Sequence, residues 1–170
     1  ELLYKNAFTT HPYKNPVIGS MADLDAATID DVRAFFNTYY IPANATVVIA
    51  GDFDVAETTD LVTRYYGRIP AGPGKVVRDI AEEPKQLKEK RVTLEENWPL
   101  PAVIVAHKIT YDGHPDSYPL HVLAKVLSDG NSSRIHNSLV YEKRLAVAAF
   151  GGANLIEHPN LFYTVAIVQP

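Results

Sequence analysis

The first half of the chain shows two different hydrophobic periods. Apolar and aromatic side chains recur at the three-to-four-residue spacing of an amphipathic helix and predict a buried helical stripe: Ile29, Val32, Phe36, Tyr39 and Tyr40. Thr28 is placed to cap the start of this helix. Residues 45–50 are instead a short apolar run rich in valine and isoleucine, which predicts a strand buried on both faces.

A second helix is expected directly after that strand, over residues 55–66. Asp54 is its predicted N-cap, and Gly67 is its predicted end. Its apolar positions also share one face and predict a second buried stripe: Val55, Leu61, Val62 and Tyr65. The order helix, buried strand, helix predicts one sheet packed under two helices.

Residues 69–84 have the composition of a linker, because three prolines and two glycines fall among the charged residues. We therefore predict a domain junction there. The predicted division is a first α+β unit over residues 1–70, a linker over 71–84 and a second unit over 85–170.

The second half predicts strands before and after a pair of helices. Residues 88–96 alternate charged and apolar side chains, as a strand with one wet face does, and the more apolar residues 102–109 predict a central strand. A turn over 112–115 precedes a helix over 118–127. Ser132 or Ser133 is expected to cap a further helix that runs to about residue 144.

Two final strands are predicted, over residues 146–152 and 161–168, with a turn at residues 158–160. The resulting order of strand, strand, helix, helix, strand, strand is typical of an α+β fold, and it differs from the strict alternation of parallel α/β proteins.

Composition excludes several classes of function. The chain is 46% hydrophobic and carries a formal net charge of −4, so neither disorder nor a nucleic-acid-binding surface is indicated. No apolar run approaches the roughly 20 residues needed to cross a bilayer. The absence of cysteine excludes disulfides and cysteine-ligated metals, and it leaves both a cytoplasmic and a periplasmic location in a bacterium open. Because the chain begins at Glu1, we expect it to be a piece of a longer protein.

Four blocks of residues resemble one family, the pitrilysin/insulinase zinc metallopeptidases (inverzincins), and in particular a fragment of the inactive-domain type. In chain order they are His11-Pro12-Tyr13; Tyr40-x-Pro42-x-Asn44-Ala45 with Gly51-Asp52-Phe53-Asp54; Tyr65-Tyr66-Gly67-Arg68-Ile69-Pro70; and Leu127 through Ser132-Ser133-Arg134. The resemblance implies portions of two consecutive α/β-sandwich units of the metallopeptidase/processing-peptidase-like fold, with mixed sheets and helices packed on one face. Residues 1–70 would be the C-terminal part of the first unit, and residues 85–170 the N-terminal part of the second.

The same resemblance implies zinc in the parent protein, bound through an H-x-x-E-H helix and a distant glutamate. This sequence contains no such motif, and none of its six histidines lies three or four residues from another: His11, His107, His114, His121, His136 and His158. In the family the zinc helix precedes the His-Pro-Tyr block, which would place it before residue 1. We therefore predict no zinc ligand in this chain and no cofactor bound by it.

A second family feature is an arginine–tyrosine pair that helps hold the substrate and polarise the scissile carbonyl. The matching positions here are Val140 and Val147, while Tyr141 and Arg144 lie nearby but offset and in the wrong order. We therefore predict no catalytic residue in this chain. In the family this pair usually comes from the opposite half of the chamber, so its absence fits a module beside a zinc-bearing domain.

Substrate docking remains as a candidate role, at Phe150, Gly151 and Gly152. In the family the matching Gly-Gly strand lines the chamber and pairs with the substrate, and glycines allow a second backbone to approach closely. From the residues alone, a bulge or a tight bend is the favoured explanation of these glycines.

Two other polar clusters have structural explanations. Ser132, Ser133 and Arg134 resemble an anion site or a serine nucleophile, but helix capping is favoured because no paired base accompanies them. Asp52 and Asp54 could ligate a metal, whereas turn and capping roles are favoured.

The function predicted is that of a non-catalytic chamber-wall and substrate-docking module of a zinc metalloendopeptidase. A structural, non-catalytic core-type subunit or scaffold of a processing-peptidase-like complex is the alternative, and an independent peptide-binding module is a third. The expected partners are a peptide or protein substrate and the remaining domains or a homologous partner subunit. Self-association is also open, because each half is marginal for burying a core alone.

Overall fold

The structure is a computed structural model that describes residues 1–95 and 97–169. It divides into two compact units, Glu1–Pro84 and Lys85–Pro170. The finer division into a unit over 1–70 and a linker over 71–84 stays a prediction.

The first unit is built from four helices: α1 (Leu2–Ala7), α2 (Met21–Ala26), α3 (Ile29–Tyr39) and α4 (Val55–Tyr66). Short 3₁₀ turns lie at Pro12–Lys14 and Pro42–Asn44. The predicted bounds of α4 are confirmed. The sequence analysis missed α2.

Side-chain caps start the helices as the sequence predicts. At α3 the Thr28 hydroxyl accepts the Asp31 backbone N–H, while the Asp31 carboxylate accepts the Thr28 N–H at 2.8 Å. The two hydrogen bonds from Thr28 lower the pKa of the Asp31 carboxyl. At α4 the Asp54 carboxylate accepts the Glu57 N–H at 2.8 Å. Both predicted caps are confirmed.

The strand predicted over residues 45–50 is wrong for this structure, because these residues form no ladder and are exposed. A strand is stabilised by hydrogen bonds to a neighbour, and the part of the first unit that the structure describes contains no strand to pair with. The predicted burial of the α3 and α4 stripes is wrong for the same reason. Phe36 of α3 and Tyr65 of α4 are both more than half exposed, since no sheet lies beneath them.

The buried residues of the first unit, Phe8 and His11, follow α1 directly. Phe8 is buried, and its ring packs edge-on against Tyr13 with centroids 5.7 Å apart. The Glu83 carboxylate accepts the backbone N–H groups of Thr9, Thr10 and His11, each at 2.9 Å. Glu83 therefore ties the end of the first unit to the loop after α1.

The second unit contains an antiparallel sheet of three strands: β1 (Ala102–Ile109), β2 (Ala146–Ala153) and β3 (Asn160–Val168). All three strands were predicted, and their existence is confirmed. The spatial order β1-β3-β2 places β3 in the middle. The prediction that residues 102–109 form a central strand is therefore wrong, because β1 lies at an edge of the described sheet.

Helices join β1 to β2: α5 (Ser117–Ser128), α6 (Arg134–His136) and a π-helical turn (Asn137–Glu142). Gly113 lies in the predicted turn before α5 and Gly130 follows α5, and both adopt positive φ. The strand predicted over residues 88–96 is wrong for residues 88–95, which join no ladder; Glu96 lies outside the described residues.

The core of the second unit is small and sits where the helices meet β2. Ala146 and Ala149 of β2 are buried, and the small side chains let α5 and α6 approach the strand closely. On β3, Leu161 is 1% exposed and Phe162 is also buried. Helices on a small antiparallel sheet confirm the predicted α+β class.

Candidate substrate-docking edge

Phe150, Gly151 and Gly152 lie on β2, at the edge of the described sheet opposite β1. Phe150 stands across from Val165 of β3, and Gly152 stands across from Tyr163. The Phe150 side chain is 46% exposed. The structure thus places the three predicted docking residues consecutively on an edge strand, which is the position a further strand would need.

The direction of the backbone groups on β2 follows from the bonds that flank the sheet. The Val168 N–H donates to the Pro101 carbonyl on the β1 side, whereas the Gln169 N–H donates to the Leu145 carbonyl on the β2 side. Neighbouring residues of a strand direct their peptide groups to opposite sides in an antiparallel sheet. On β2, therefore, Phe150 and Gly152 point their peptide groups at β3.

The alternate residues of β2 point their backbone groups outward. These residues are Ala149, Gly151 and Ala153, which stand across from Ala166, Thr164 and Phe162 of β3. A row of outward N–H and C=O groups is a template for pairing with another extended chain. The docking edge is defined here as this outward row of β2.

The two glycines differ in the space around them. A Cβ at Gly151 would meet the Tyr163 carbonyl oxygen at 2.2 Å, so a side chain there would collide with β3. A Cβ at Gly152 would meet nothing within 4 Å. The register shift of β2 lies between Ala146 and Ala148, away from both glycines. Gly151 therefore lets β2 and β3 approach closely, and Gly152 leaves open space over the strand.

One end of the docking edge is occupied by a histidine that the sequence analysis did not single out. His136, the last residue of α6, places its Nδ1 3.4 Å from the Ala149 carbonyl oxygen. Its half-buried ring lies edge-on against Tyr141, with centroids 5.2 Å apart. The π-helical turn brings these residues, five apart in sequence, onto one side. No sequence pattern predicts a π-turn, so the constellation was not foreseeable.

The positions matched to the family's arginine–tyrosine pair fall on different elements. Val140 lies in the π-helical turn and Val147 on β2. Tyr141 is exposed, and Arg144 ends the turn with a positive φ of 53°. The left-handed backbone conformation of Arg144 turns the chain from the π-helical turn into β2.

The serines before α6 do not cap the helix through their side chains. Ser133 occupies the N-cap position of α6, but its side chain makes no capping hydrogen bond. Its buried hydroxyl has no hydrogen-bond partner among the described residues. The predicted capping by Ser132 or Ser133 is therefore wrong as an interaction, and only the position of the helix start is confirmed. The capping role of Asp54 at α4 is confirmed.

The histidines considered as possible metal ligands lie on different elements of the structure. Within residues 1–95 and 97–169, no three histidine or acidic side chains come together as a possible metal site. His107 lies on β1, His114 in a turn and His121 on α5. Among the helices that the structure describes, none has the length and apolar character needed to span a membrane.

An open apolar groove of about 1010 Å³ lies within the first unit. Aromatic side chains of α3 and α4 form much of its wall, including Phe35, Phe36, Tyr39 and Tyr66. Phe36 and Tyr39 belong to the helical stripe that the sequence predicts to pack on a sheet. The groove is the surface that is left when the helices form without that sheet.

Three comparisons identify the chain's relatives. A sequence profile of the peptidase M16 inactive domain matches residues 26–170. The zinc protease PqqE of Helicobacter pylori is 28% identical over 169 residues, which are 98% of this chain and 38% of that protein. A protease structure from Helicobacter pylori superimposes with a TM-score of 0.86 at 28% identity, covering 99% of this chain and 41% of that one.

A more distant relative has a processing role in its name. The probable mitochondrial-processing peptidase subunit beta of Arabidopsis thaliana is 22% identical over 132 residues, covering 77% of this chain and 25% of that protein. The chain thus spans about two fifths or less of the length of these relatives. The resemblance to zinc metallopeptidases is confirmed, and the chain belongs to the peptidase M16 inactive-domain family.

Proposed function

We propose that this chain is a non-catalytic chamber-wall and substrate-docking module of a zinc-dependent metalloendopeptidase. The observation that carries the proposal is the docking edge of β2, with Gly151 and Gly152 beside Phe150. In this account an extended segment of a peptide or protein substrate adds to the sheet as a further strand.

The physical basis is main-chain pairing. Gly151 and Ala153 each offer an outward N–H donor and an outward C=O acceptor to a docked strand. Each hydrogen bond formed is worth about 0.5–1.5 kcal/mol net. Four such groups give moderate affinity with little dependence on sequence, because the contacts are made to the backbone of the bound segment.

Peptide hydrolysis belongs to the longer protein in this proposal. Zinc and the water that it activates would be held by residues outside this chain, since the described side chains do not gather into a metal site. The module contributes a wall that holds the substrate in an extended form, and the chain alone binds no cofactor.

The exposed stripes of α3 and α4 fit a module that is covered in its assembly. Phe35, Phe36 and Tyr66 stand at the groove of the first unit with more than half of their surface exposed. Exposed aromatic clusters of this kind mark surfaces for association. We propose that the remaining domains or a homologous partner subunit cover them, and that the isolated chain self-associates through them.

Matched proline variants test the proposal. Ala153→Pro removes an outward N–H from the docking edge, while Ala106→Pro removes the equivalent N–H from the outer edge of β1. We expect the chain to bind a non-cleavable extended peptide, Ala153→Pro to weaken binding about tenfold, and Ala106→Pro to leave it unchanged. Fluorescence anisotropy of a labelled peptide measures each dissociation constant. Equal effects of both prolines, or no binding by the unsubstituted chain, would overturn docking at β2.

A second candidate function is a structural subunit of a processing-peptidase-like complex. The similarity to the probable mitochondrial-processing peptidase subunit beta favours it. A scaffold subunit would bind its partners through the aromatic faces of α3 and α4 and would not bind substrate at the docking edge. The scaffold account therefore predicts association with a homologous subunit and no measurable affinity for extended peptides.

A further inference from the structure

The outward row of β2 is not uniform, because one of its carbonyls already has a neighbour. His136 Nδ1 lies 3.4 Å from the Ala149 oxygen, and within residues 1–95 and 97–169 no side chain hydrogen-bonds to Gly151 or Ala153. Ala149 is also buried, whereas Gly151 and Ala153 are partly exposed. The edge is therefore covered at one end and open at the other.

The histidine is held in this position from two sides. The Tyr141 ring packs edge-on against it, and the backbone continues directly into the π-helical turn. Arg144 then reverses the chain in a left-handed conformation, and the Leu145 N–H donates to the Leu139 carbonyl at 2.9 Å. The turn thus fixes His136 relative to the strand that starts only a few residues later.

We propose that His136 sets the end of the docking edge. In this account its Nδ1–H donates to the Ala149 carbonyl, so a docked segment pairs with Gly151 and Ala153 and leaves the sheet at Ala149. This inference rests on the docking function proposed above. It adds a selection rule: the residue of the bound segment that faces Ala149 needs no N–H, so proline is accepted there.

Removing the imidazole should lengthen the edge. In His136→Ala the Ala149 carbonyl becomes available, and one further backbone N–H of the bound segment gains an acceptor. A scan of singly N-methylated peptides shows which backbone N–H groups of the peptide bond to the docking edge, since each methyl group removes one N–H. We expect one more peptide position to be sensitive to N-methylation in the His136→Ala variant than in the unsubstituted chain. Methylation at that position should weaken binding to the variant about fivefold.

The matched control is His121→Ala, which removes an exposed imidazole from α5. It should leave the pattern of sensitive positions as it is in the unsubstituted chain. An identical pattern in His136→Ala, with peptide binding intact, would overturn the role of His136 and leave docking standing. If the unsubstituted chain binds no peptide, both proposals fall.

The tautomer of His136 provides an independent measurement without any peptide. Nitrogen-15 NMR of the unsubstituted chain distinguishes a proton on Nδ1 from one on Nε2. The account requires the proton on Nδ1, where it faces the Ala149 oxygen. A neutral ring protonated only on Nε2 would place two acceptors against each other and contradict the assignment.

Discussion

The helices of the first unit and the sheet of the second unit depend on different kinds of interaction, local in the helices and between distant residues in the sheet. α3 and α4 begin at the predicted caps, because a hydroxyl or carboxylate three residues from its N–H partner acts locally. Residues 45–50 are as apolar as β3, but only β3 has a strand on each side. The comparison teaches that local signals produce helices unaided, whereas an apolar run becomes a strand only beside a partner.

The same contrast appears in burial. Leu161 on β3 is 1% exposed, while Val48 in the unpaired apolar run is 83% exposed. Both belong to apolar runs, and what separates them is the set of elements available to cover them. Stability should therefore depend strongly on Leu161 and hardly at all on Val48.

Truncation of the two side chains is expected to give the largest difference. Leu161→Ala should lower the free energy of unfolding of the second unit by about 2–5 kcal/mol, because it removes buried methyl groups and leaves a cavity. Val48→Ala should change the stability by less than about 0.5 kcal/mol. Urea denaturation of both variants checks this, and equal losses would show that residues 45–50 are buried after all.

The hydrogen bonds that the Glu83 carboxylate accepts in the first unit provide the next test. Glu83→Gln removes the charge that accepts three backbone N–H groups, and hydrogen bonds to a charged group are worth about 1.5–3 kcal/mol. We expect a loss of that size in the stability of the first unit. Glu82→Gln is the control, because the neighbouring side chain is exposed. Similar denaturation midpoints for the two variants would show that the Glu83 carboxylate does not stabilise the first unit.

The two glycines of β2 sharpen the comparison within the sheet. Gly151→Ala should cost about 1–3 kcal/mol, since its methyl group collides with the Tyr163 carbonyl. Gly152→Ala points into open space and should change stability by less than about 0.5 kcal/mol. Thermal unfolding of the pair measures the difference. A reversed order would mean that the path of β2 is different from the one described.

The smallest expected effect is a pH dependence at the start of α3. Because the folded pKa of Asp31 is lowered, its contribution to stability is present above its ordinary value of 3.8 and is lost as the pH falls through the lowered pKa. Thr28→Ala removes the hydroxyl whose hydrogen bond is the largest cause of the lowered Asp31 pKa, so the stability lost at acid pH should become smaller. Circular dichroism between pH 5 and 2, with Asp25→Asn as the control, checks the prediction.

The sequence predicted the elements that depend on neighbours along the chain. The caps at Thr28 and Asp54, the bounds of α4 and the turn at Gly113 follow from local chemistry. The edge position of β1 was not predictable, because strand order is set by contacts between distant residues.

The candidate edge was predictable only in part. Gly151 and Gly152 stand out in the sequence, but their different surroundings depend on Tyr163 of β3. The approach of His136 to Ala149 depends on a π-turn that has no sequence signature. The glycine pair therefore identified β2 as the candidate strand, and the structure showed which of its backbone groups point outward.

Amide hydrogen exchange on the docking edge tests the central claim most directly. At saturating concentrations of an extended peptide, we predict slower exchange of the Gly151 and Ala153 amides, which point outward from β2. The outward amides of Ile104 and Ala106 on β1 should exchange at their original rates. Protection on β1 instead of β2, or unchanged exchange at Gly151 while the peptide is bound, would contradict the docking of substrate on this strand.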